Sequence, residues 1–162
     1  MTRHYAFYER NGGLHGLEAT RPLSIKNLMT IHPYSLTPDD RVLDAMNLIR
    51  DRDVRHIPIV DPATQRLVGL VTEVDILRNV LHGQAMTPEE DYHASLDMML
   101  PLSRVMVRHI HSLHEDDAVM EAVAMFMEYR IRCAPVVDRD GCLKGIVTES
   151  DLMRLLSHMV DG

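Results

Sequence analysis

The chain repeats itself, and this repetition constrains the fold more than any other feature of the sequence. The phrase GLVTEVD at residues 69–75 returns as GIVTESD at residues 145–151. An alignment of residues 29–61 with 106–138 holds at an offset of 77, and it continues at an offset of 76 after a one-residue deletion in the next turn. Because such a register requires two related folding units, we expect two copies of one supersecondary structure that pack against each other.

Each copy carries signals for the same five elements, which together predict the α+β class. Thr37-Pro38-Asp39-Asp40 has the hydroxyl, the proline and the acidic residues that favour a helix start, and apolar residues follow it at helical spacing. Two short strands around a turn then indicate a hairpin that leads into a second helix. The predicted order is strand, helix, strand, strand, helix, with hairpin strands and second helices at 57–60, 67–71 and 72–81, and at 134–137, 143–147 and 148–159.

Composition and charge narrow the class of protein. Hydrophobic residues make up 46% of the chain, but no apolar run approaches the ~18 residues that span a bilayer. The first residues lack the apolar stretch of a signal peptide, and the two cysteines then suggest a reducing compartment. A net charge of −7 without a long Lys/Arg block argues against a nucleic-acid partner. We therefore expect a soluble, cytoplasmic protein that binds neither nucleic acid nor membrane.

The repeated Thr-Glu-x-Asp phrase has two interpretations. Thr72 followed by Asp75 is close to a capping box, which stabilises a helix start by about 1 kcal/mol. A strand-to-helix turn also offers backbone N–H groups and the positive end of a dipole to an anion. A threonine hydroxyl there can bond a phosphate oxygen, and a carboxylate one turn into the helix can accept both hydroxyls of a ribose. Both copies keep the same residue types where a cap alone would accept others, which favours binding.

The MT pair at 29–30, the strands IPIV and APVV, and the two Thr-Glu-x-Asp phrases are similar to the motifs of a tandem CBS-domain pair, or Bateman module. The resemblance covers residues 24–81 and 101–159. It implies β-α-β-β-α units packed sheet to sheet about a pseudo-twofold axis. Two clefts between them would hold adenosine-containing ligands such as AMP, ADP, ATP or S-adenosylmethionine. The chain then divides into an N-terminal arm (1–23), a first repeat (24–81), a linker (82–100) and a second repeat (101–162).

The resemblance also implies roles for individual positions. Asp75 and Asp151 would hold ribose hydroxyls, while Thr72 and Thr148 would contact phosphate. The base would meet the residues around each strand proline, and the leading strands, from Ile31 to Tyr34 and from Arg108 to His111, would form a wall of its pocket. The arginine before each of these segments is either a charged surface residue or a phosphate contact. The phosphate role is considered because an acidic protein needs local cations to hold polyphosphate. These further positions are Tyr34, Arg55, His56, Ile57, Pro58, His111, Arg132, Cys133, Ala134 and Pro135.

The segment from Arg108 to His114 contains three histidines, and two of them would share one face of an extended strand. That spacing suits a transition metal. However, no Cys, Asp or Glu lies in the stretch before Glu115, so we expect no metal site. A pH-sensitive histidine lining the second cleft is the favoured alternative. No nucleophile has an evident acid or base partner, so we expect no catalytic residue and no enzyme.

The sulfur-containing residues carry two further expectations. Cys133 and Cys142 flank the second hairpin, and Cys133 should lie opposite about Val147, so we expect no disulfide. The methionines of the first helix in each copy are adaptable core residues. In the CBS family these helix faces also form a dimer interface, so partial exposure would favour self-association.

Together, these features favour a stand-alone regulatory module that senses an adenine nucleotide or S-adenosylmethionine and needs no obligatory cofactor. We expect a homodimer, with a regulated protein as a possible further partner. The alternative is a protein-interaction scaffold with vestigial nucleotide sites. A weaker third interpretation is a metal-responsive module built on the histidines.

Overall fold

The computed structural model describes residues 23–81 and 98–161, and most of the predicted arm and linker lie outside these ranges. Both copies contain the predicted hairpin followed by a helix, with bounds within two residues of those expected. The first copy consists of β1 (Thr30–Ile31), α1 (Val42–Arg52), β2 (His56–Val60), β3 (Leu67–Thr72) and α2 (Glu73–Leu81). The second consists of α3 (Val119–Tyr129), β4 (Cys133–Val137), β5 (Leu143–Thr148) and α4 (Glu149–Asp161). The predicted α+β class is thus confirmed.

The two copies exchange their leading segments. In the first copy, β1 pairs antiparallel with β5 of the second, with Thr30 opposite Ile146. At the equivalent place, Val107 of the second copy bridges Leu70 of the first. Each hydrophobic core therefore contains residues from both copies: Leu102 and Met106 complete the first core, and Ile25 and Met29 complete the second.

The hairpin tips also join the two copies. The backbone N–H of Leu67 donates to the carbonyl of Gly141 at 3.0 Å, and that of Leu143 donates to the carbonyl of Gln65 at 3.2 Å. These two hydrogen bonds connect equivalent positions of the repeats, and Arg66 lies opposite its own counterpart, Cys142. The predicted pseudo-twofold axis therefore passes between the tips.

The predicted helix start at Thr37 is wrong, because α1 begins only at Val42. Asp40 Oδ2 instead accepts from the N–H and hydroxyl of Thr37, at 2.6 and 2.9 Å, and closes a turn before the helix. The first N–H groups of α1 donate to the carbonyls of residues 98 and 100. The first N–H of α3 donates to the carbonyl of Leu23, the residue directly before the first copy, so tertiary contacts replace the predicted side-chain cap.

The leading strands are shorter than predicted and displaced towards the N-terminus. Only residues 30–31 form a ladder in the first copy, and the second copy has a single bridge at Val107, before the predicted strand at 108–111. The expected register of the second hairpin is off by one residue, since Cys133 pairs with Thr148 and not with Val147. Both cysteines are free thiols.

Candidate ligand-binding site

Thr72 and Asp75 close the start of α2 with reciprocal hydrogen bonds. Asp75 Oδ2 accepts from the Thr72 N–H at 3.0 Å and from the Thr72 hydroxyl at 2.7 Å. The Asp75 N–H donates to Thr72 Oγ1 at 3.2 Å. The cap predicted from the phrase is therefore present, and it holds the carboxylate beside the end of β3.

The second copy repeats this arrangement at the start of α4, with one addition. Asp151 Oδ2 accepts from the N–H and the hydroxyl of Thr148, at 2.8 and 2.7 Å. Asp151 is buried, and its other oxygen lies 3.4 Å from Nη2 of Arg154. A buried carboxylate is costly unless it is hydrogen-bonded and paired, and here both conditions are met.

The strand register brings the residues predicted to contact the base next to these threonines. His56, at the start of β2, lies directly opposite Thr72, and Cys133, at the start of β4, lies opposite Thr148. Each of them is followed by a buried residue and then by the strand proline, which is also buried. These residues are Ile57 and Pro58 in the first copy, and Ala134 and Pro135 in the second. Each copy thus places its pre-proline segment beside its own Thr–Asp pair.

Tyr34 and His111 approach the same strands from the opposite side. Leu36 forms a parallel bridge to Ile59, and Leu113 forms the equivalent bridge to Val136. Tyr34 lies two residues before Leu36 on its segment, and His111 lies two residues before Leu113. The predicted wall residue, the pre-proline segment and the Thr–Asp pair therefore lie on three neighbouring segments in both copies.

Both wall residues have a cationic or aromatic neighbour that sequence reasoning missed. The His111 ring stacks on Tyr129, with 3.8 Å between ring centroids. The guanidinium of Arg52 lies 5.4 Å from the centroid of the Tyr34 ring. Arg52 and Tyr129 occupy equivalent positions in the two copies, and the repeat offset applied to the helix ends would have found them.

The glutamate of each phrase faces the arginine that precedes the strand. Nε of Arg55 lies 3.9 Å from Oε2 of Glu73, and the same atoms of Arg132 and Glu149 are also 3.9 Å apart. The glutamate N–H donates to the carbonyl of that arginine, at 3.0 Å in the first copy and 2.9 Å in the second. Sequence reasoning did not identify these pairs.

Two side chains of the candidate sites have a shifted pKa, and in each case a charged residue of the other copy contributes to the shift. Burial lowers the pKa of His56, and the positive charges of Arg55 and of Arg132 in the other copy lower it further, against the opposing effect of Asp75 and Glu73. Burial also raises the pKa of Cys133 to about 12, with a smaller contribution from Asp75 of the first copy. His56 is therefore held neutral at physiological pH, and Cys133 is an unreactive thiol.

Two negative findings apply to residues 23–81 and 98–161. No group of three or more His, Cys, Asp or Glu side chains in this part of the chain could hold a metal ion. No helix within the same ranges has the length and apolar character to cross a bilayer.

Two interlocked repeats of one supersecondary structure, with equivalent strand-to-helix sites, define a tandem-repeat module. The model of the CBS domain matches residues 25–82 and 102–158, which is more than half of the chain. The protein therefore belongs to the CBS-domain family, as the sequence motifs suggested.

Solved structures share this fold. An acetoin utilization protein (AcuB) from Vibrio cholerae superposes with a TM-score of 0.72 and is 28% identical, covering 87% of this chain and 95% of its own. The CBS-domain pair of protein MJ0100 in complex with 5′-methylthioadenosine and S-adenosyl-L-methionine gives 0.70 at 24% identity, over 86% and 99% of the chains. CBSX2 in complex with AMP gives 0.69 at 24% identity, over 84% and 97%.

Curated relatives are longer than this chain. Inosine-5′-monophosphate dehydrogenase of Aquifex aeolicus is 28% identical over 127 residues, which cover 78% of this chain but 23% of the relative. The match to protein MJ1004 of Methanocaldococcus jannaschii spans 59% of that protein.

Proposed function

We propose that the protein is a regulatory module, not an enzyme, that binds an adenosine-containing ligand in one or both clefts between its CBS repeats. AMP, ADP, ATP and S-adenosylmethionine are the candidates. The main support is that each copy places a Thr–Asp pair at a helix start directly beside a pre-proline strand segment. Two proteins of the same fold support this ligand class, since one is in complex with S-adenosyl-L-methionine and the other with AMP.

The ribose would replace the internal cap. Asp75 and Asp151 each hold a threonine hydroxyl at 2.7 Å, which is the kind of contact that a ribose hydroxyl makes with a carboxylate. When ribose hydroxyls donate to the carboxylate, the threonine hydroxyl is released and can donate to a phosphate oxygen. The same two residue types would thus serve the helix in the empty protein and the ligand in the complex.

The base would lie between the wall residue and the pre-proline segment. Ile57 and Ala134 are fully buried, so the base would meet their backbone groups more than their side chains. Tyr34 and the stacked pair of His111 and Tyr129 offer aromatic faces on the other side. In the second cleft, Tyr129 already covers one face of His111, which leaves the opposite face for a ligand.

Phosphate groups would be held by Arg55 and Arg132. Their side chains are largely exposed, at 73% and 79%, and the 3.9 Å separation from their glutamates is long for a charge-assisted hydrogen bond. Both arginines can therefore turn towards an anion at little cost.

Assembly and cellular context form part of the same proposal: a cytoplasmic homodimer that passes its ligand state to a regulated protein. The observation behind self-association is an exposed apolar surface on the helices. Met153, Leu156, Met159 and Val160 are exposed on α4, and Met120 and Met127 are exposed on α3. The same surface is the main support for the second candidate function, a protein-interaction scaffold whose nucleotide sites are vestigial.

Thermal unfolding against the four adenosine ligands distinguishes these functions. A ligand at a hundred times its Kd adds about 2.7 kcal/mol of stability, which corresponds to about 5–10 °C in Tm for a chain of this length. The sensing function predicts such a shift for at least one ligand and its loss in the double variant D75N/D151N. The variant D39N/D116N removes the same charge from an equivalent pair of exposed acids and should keep the shift. If none of the four ligands raises the Tm of the wild type, the sensing function is refuted and the scaffold function is favoured.

A further inference from the structure

His56 lies beside the threonine that is proposed to contact phosphate in the first copy. At the start of β2 it pairs directly with Thr72, the last residue of β3. Residues directly opposite each other in an antiparallel pair project from the same face of the sheet, with about 4.5–5.5 Å between their Cβ atoms. The half-buried imidazole and the Thr72 hydroxyl therefore lie side by side where β3 leads into α2.

The second copy carries a different chemical group at this place. Cys133 pairs with Thr148 in the same register, and its side chain is buried. Burial raises the pKa of Cys133 to about 12, so this thiol stays neutral over the pH range in which a histidine titrates. The residue beside Thr72 can therefore gain a proton near neutral pH, whereas the residue beside Thr148 cannot.

Four charged side chains in the described part of the chain act on the imidazole. Burial is the largest cause that lowers the pKa of His56, and the charges of Arg55 and Arg132 lower it further. Asp75 and Glu73 oppose this effect and raise it. The two arginines that help to keep the ring neutral are thus the same two that are proposed to hold phosphate.

We propose that a phosphate-bearing nucleotide binds in the first cleft together with a proton that His56 takes up from solvent, whereas the second cleft binds without this proton. The inference rests on the proposed function, with phosphate beside Thr72. A phosphate there offsets the positive charge of Arg55 and favours the charged imidazole. The protonated ring can then donate a charge-assisted hydrogen bond to the phosphate, next to that of Thr72. The nucleotide affinity of the first cleft therefore rises as the pH falls.

The number of protons taken up per bound nucleotide tests this directly. It is obtained for the 162-residue chain from calorimetric titrations at about pH 6.5, in buffers of low and high ionisation enthalpy. The probe is whichever of AMP, ADP and ATP binds most tightly, and the background D151N leaves the first cleft competent. We expect D151N to take up about 0.5–1 proton more per nucleotide than H56Q/D151N does. Protonation of the nucleotide itself is common to both variants and cancels.

The pH dependence of the affinity is a second readout. Because one linked proton changes a binding constant by at most about tenfold per pH unit, D151N should gain about three- to tenfold in affinity relative to H56Q/D151N between pH 7.5 and pH 6.5. Adenosine has no phosphate and should show the same pH dependence in both variants. In the background D75N, which leaves the second cleft competent, H56Q should change neither readout. Circular dichroism of each variant establishes that it is folded.

The outcomes separate this inference from the proposed function. Equal proton uptake by D151N and H56Q/D151N overturns the role of His56, although the nucleotide still binds. An equally large effect of H56Q in the D75N background, or nucleotide binding that D151N abolishes, overturns the assignment to the first cleft. A wild type that binds S-adenosylmethionine but none of AMP, ADP and ATP overturns this inference alone. A wild type that binds none of the four ligands overturns the proposed function with it.

Discussion

Gly145 lies where β5 passes closest to the leading segment of the first copy, and replacing it by alanine should strongly destabilise the protein. An added Cβ would lie 2.6 Å from Sδ of Met29 and 2.9 Å from the carbonyl oxygen of Thr30. Met29 is almost fully buried, and Thr30 belongs to β1, which pairs with β5. The first contact can be relieved by a side-chain movement, but the second requires β1 to move away from β5.

The equivalent Gly69 provides a matched control. A Cβ there would collide with Met106, and its next neighbour is Cβ of Ile59 at 3.2 Å, so no backbone atom is among the three nearest contacts. Overpacking costs about 1–3 kcal/mol. A flexible methionine end can relieve most of that cost, and Gly→Ala recovers about 0.4–1 kcal/mol through the unfolded chain. We therefore expect a net loss of about 2 kcal/mol for G145A and of less than ~1 kcal/mol for G69A.

Urea unfolding followed by far-UV circular dichroism measures both variants under one condition. A lower midpoint with an unchanged m-value in G145A would show lost stability in an otherwise intact fold. If G69A loses as much stability as G145A, the backbone contact with Thr30 is not what makes this glycine necessary. If neither variant loses stability, the close packing of the exchanged segments is refuted.

Three further predictions concern the cap, a histidine and the exposed methionines. D75A should lower the free energy of unfolding, measured by thermal unfolding, by about 1 kcal/mol. D75N should lower it much less, because an asparagine oxygen still accepts hydrogen bonds from Thr72. Equal losses in the two variants would contradict the cap. Since the folded-state pKa of His56 lies below its ordinary value of 6.5, the unfolded chain binds the proton first. The contribution of His56 to the free energy of unfolding is therefore fully present above about pH 6.5. As the pH drops towards the folded-state pKa, the free energy of unfolding falls by at most ~1.4 kcal/mol per pH unit. H56Q should flatten this part of the stability curve, and an unchanged slope would exclude His56. M153E/M159E should shift sedimentation from dimer to monomer, and a monomeric wild type would refute the dimer.

The repeated elements could be predicted because the same sequence signals occur in both copies and indicate one common structure. The Thr72–Asp75 and Thr148–Asp151 caps follow from residue types at fixed spacing, and the hairpins follow from apolar runs around turn residues. Local rules failed at the start of α1, where a distant part of the chain supplies hydrogen bonds to the helix. Thr37 has the residue types of a cap, but carbonyls of the linker end satisfy the first N–H groups of α1, so the helix begins later.

Parts of the candidate site depend on distances that the sequence does not encode. The glutamates of the two phrases were interpreted within the helix start, whereas they also face Arg55 and Arg132. The effect of Arg132 on His56 requires the sheets of both copies to meet, since these residues are far apart in the chain.

Amide chemical-shift mapping of the 15N-labelled, 162-residue chain tests the central claim most directly. The titrant is whichever of AMP, ADP, ATP or S-adenosylmethionine gives the largest thermal shift. We predict the largest changes at 72–76 or 148–152, together with His56 or Cys133 on the neighbouring strand. Changes confined to the exposed face of α4, or no changes with any of the four ligands, would contradict a nucleotide site between the CBS repeats.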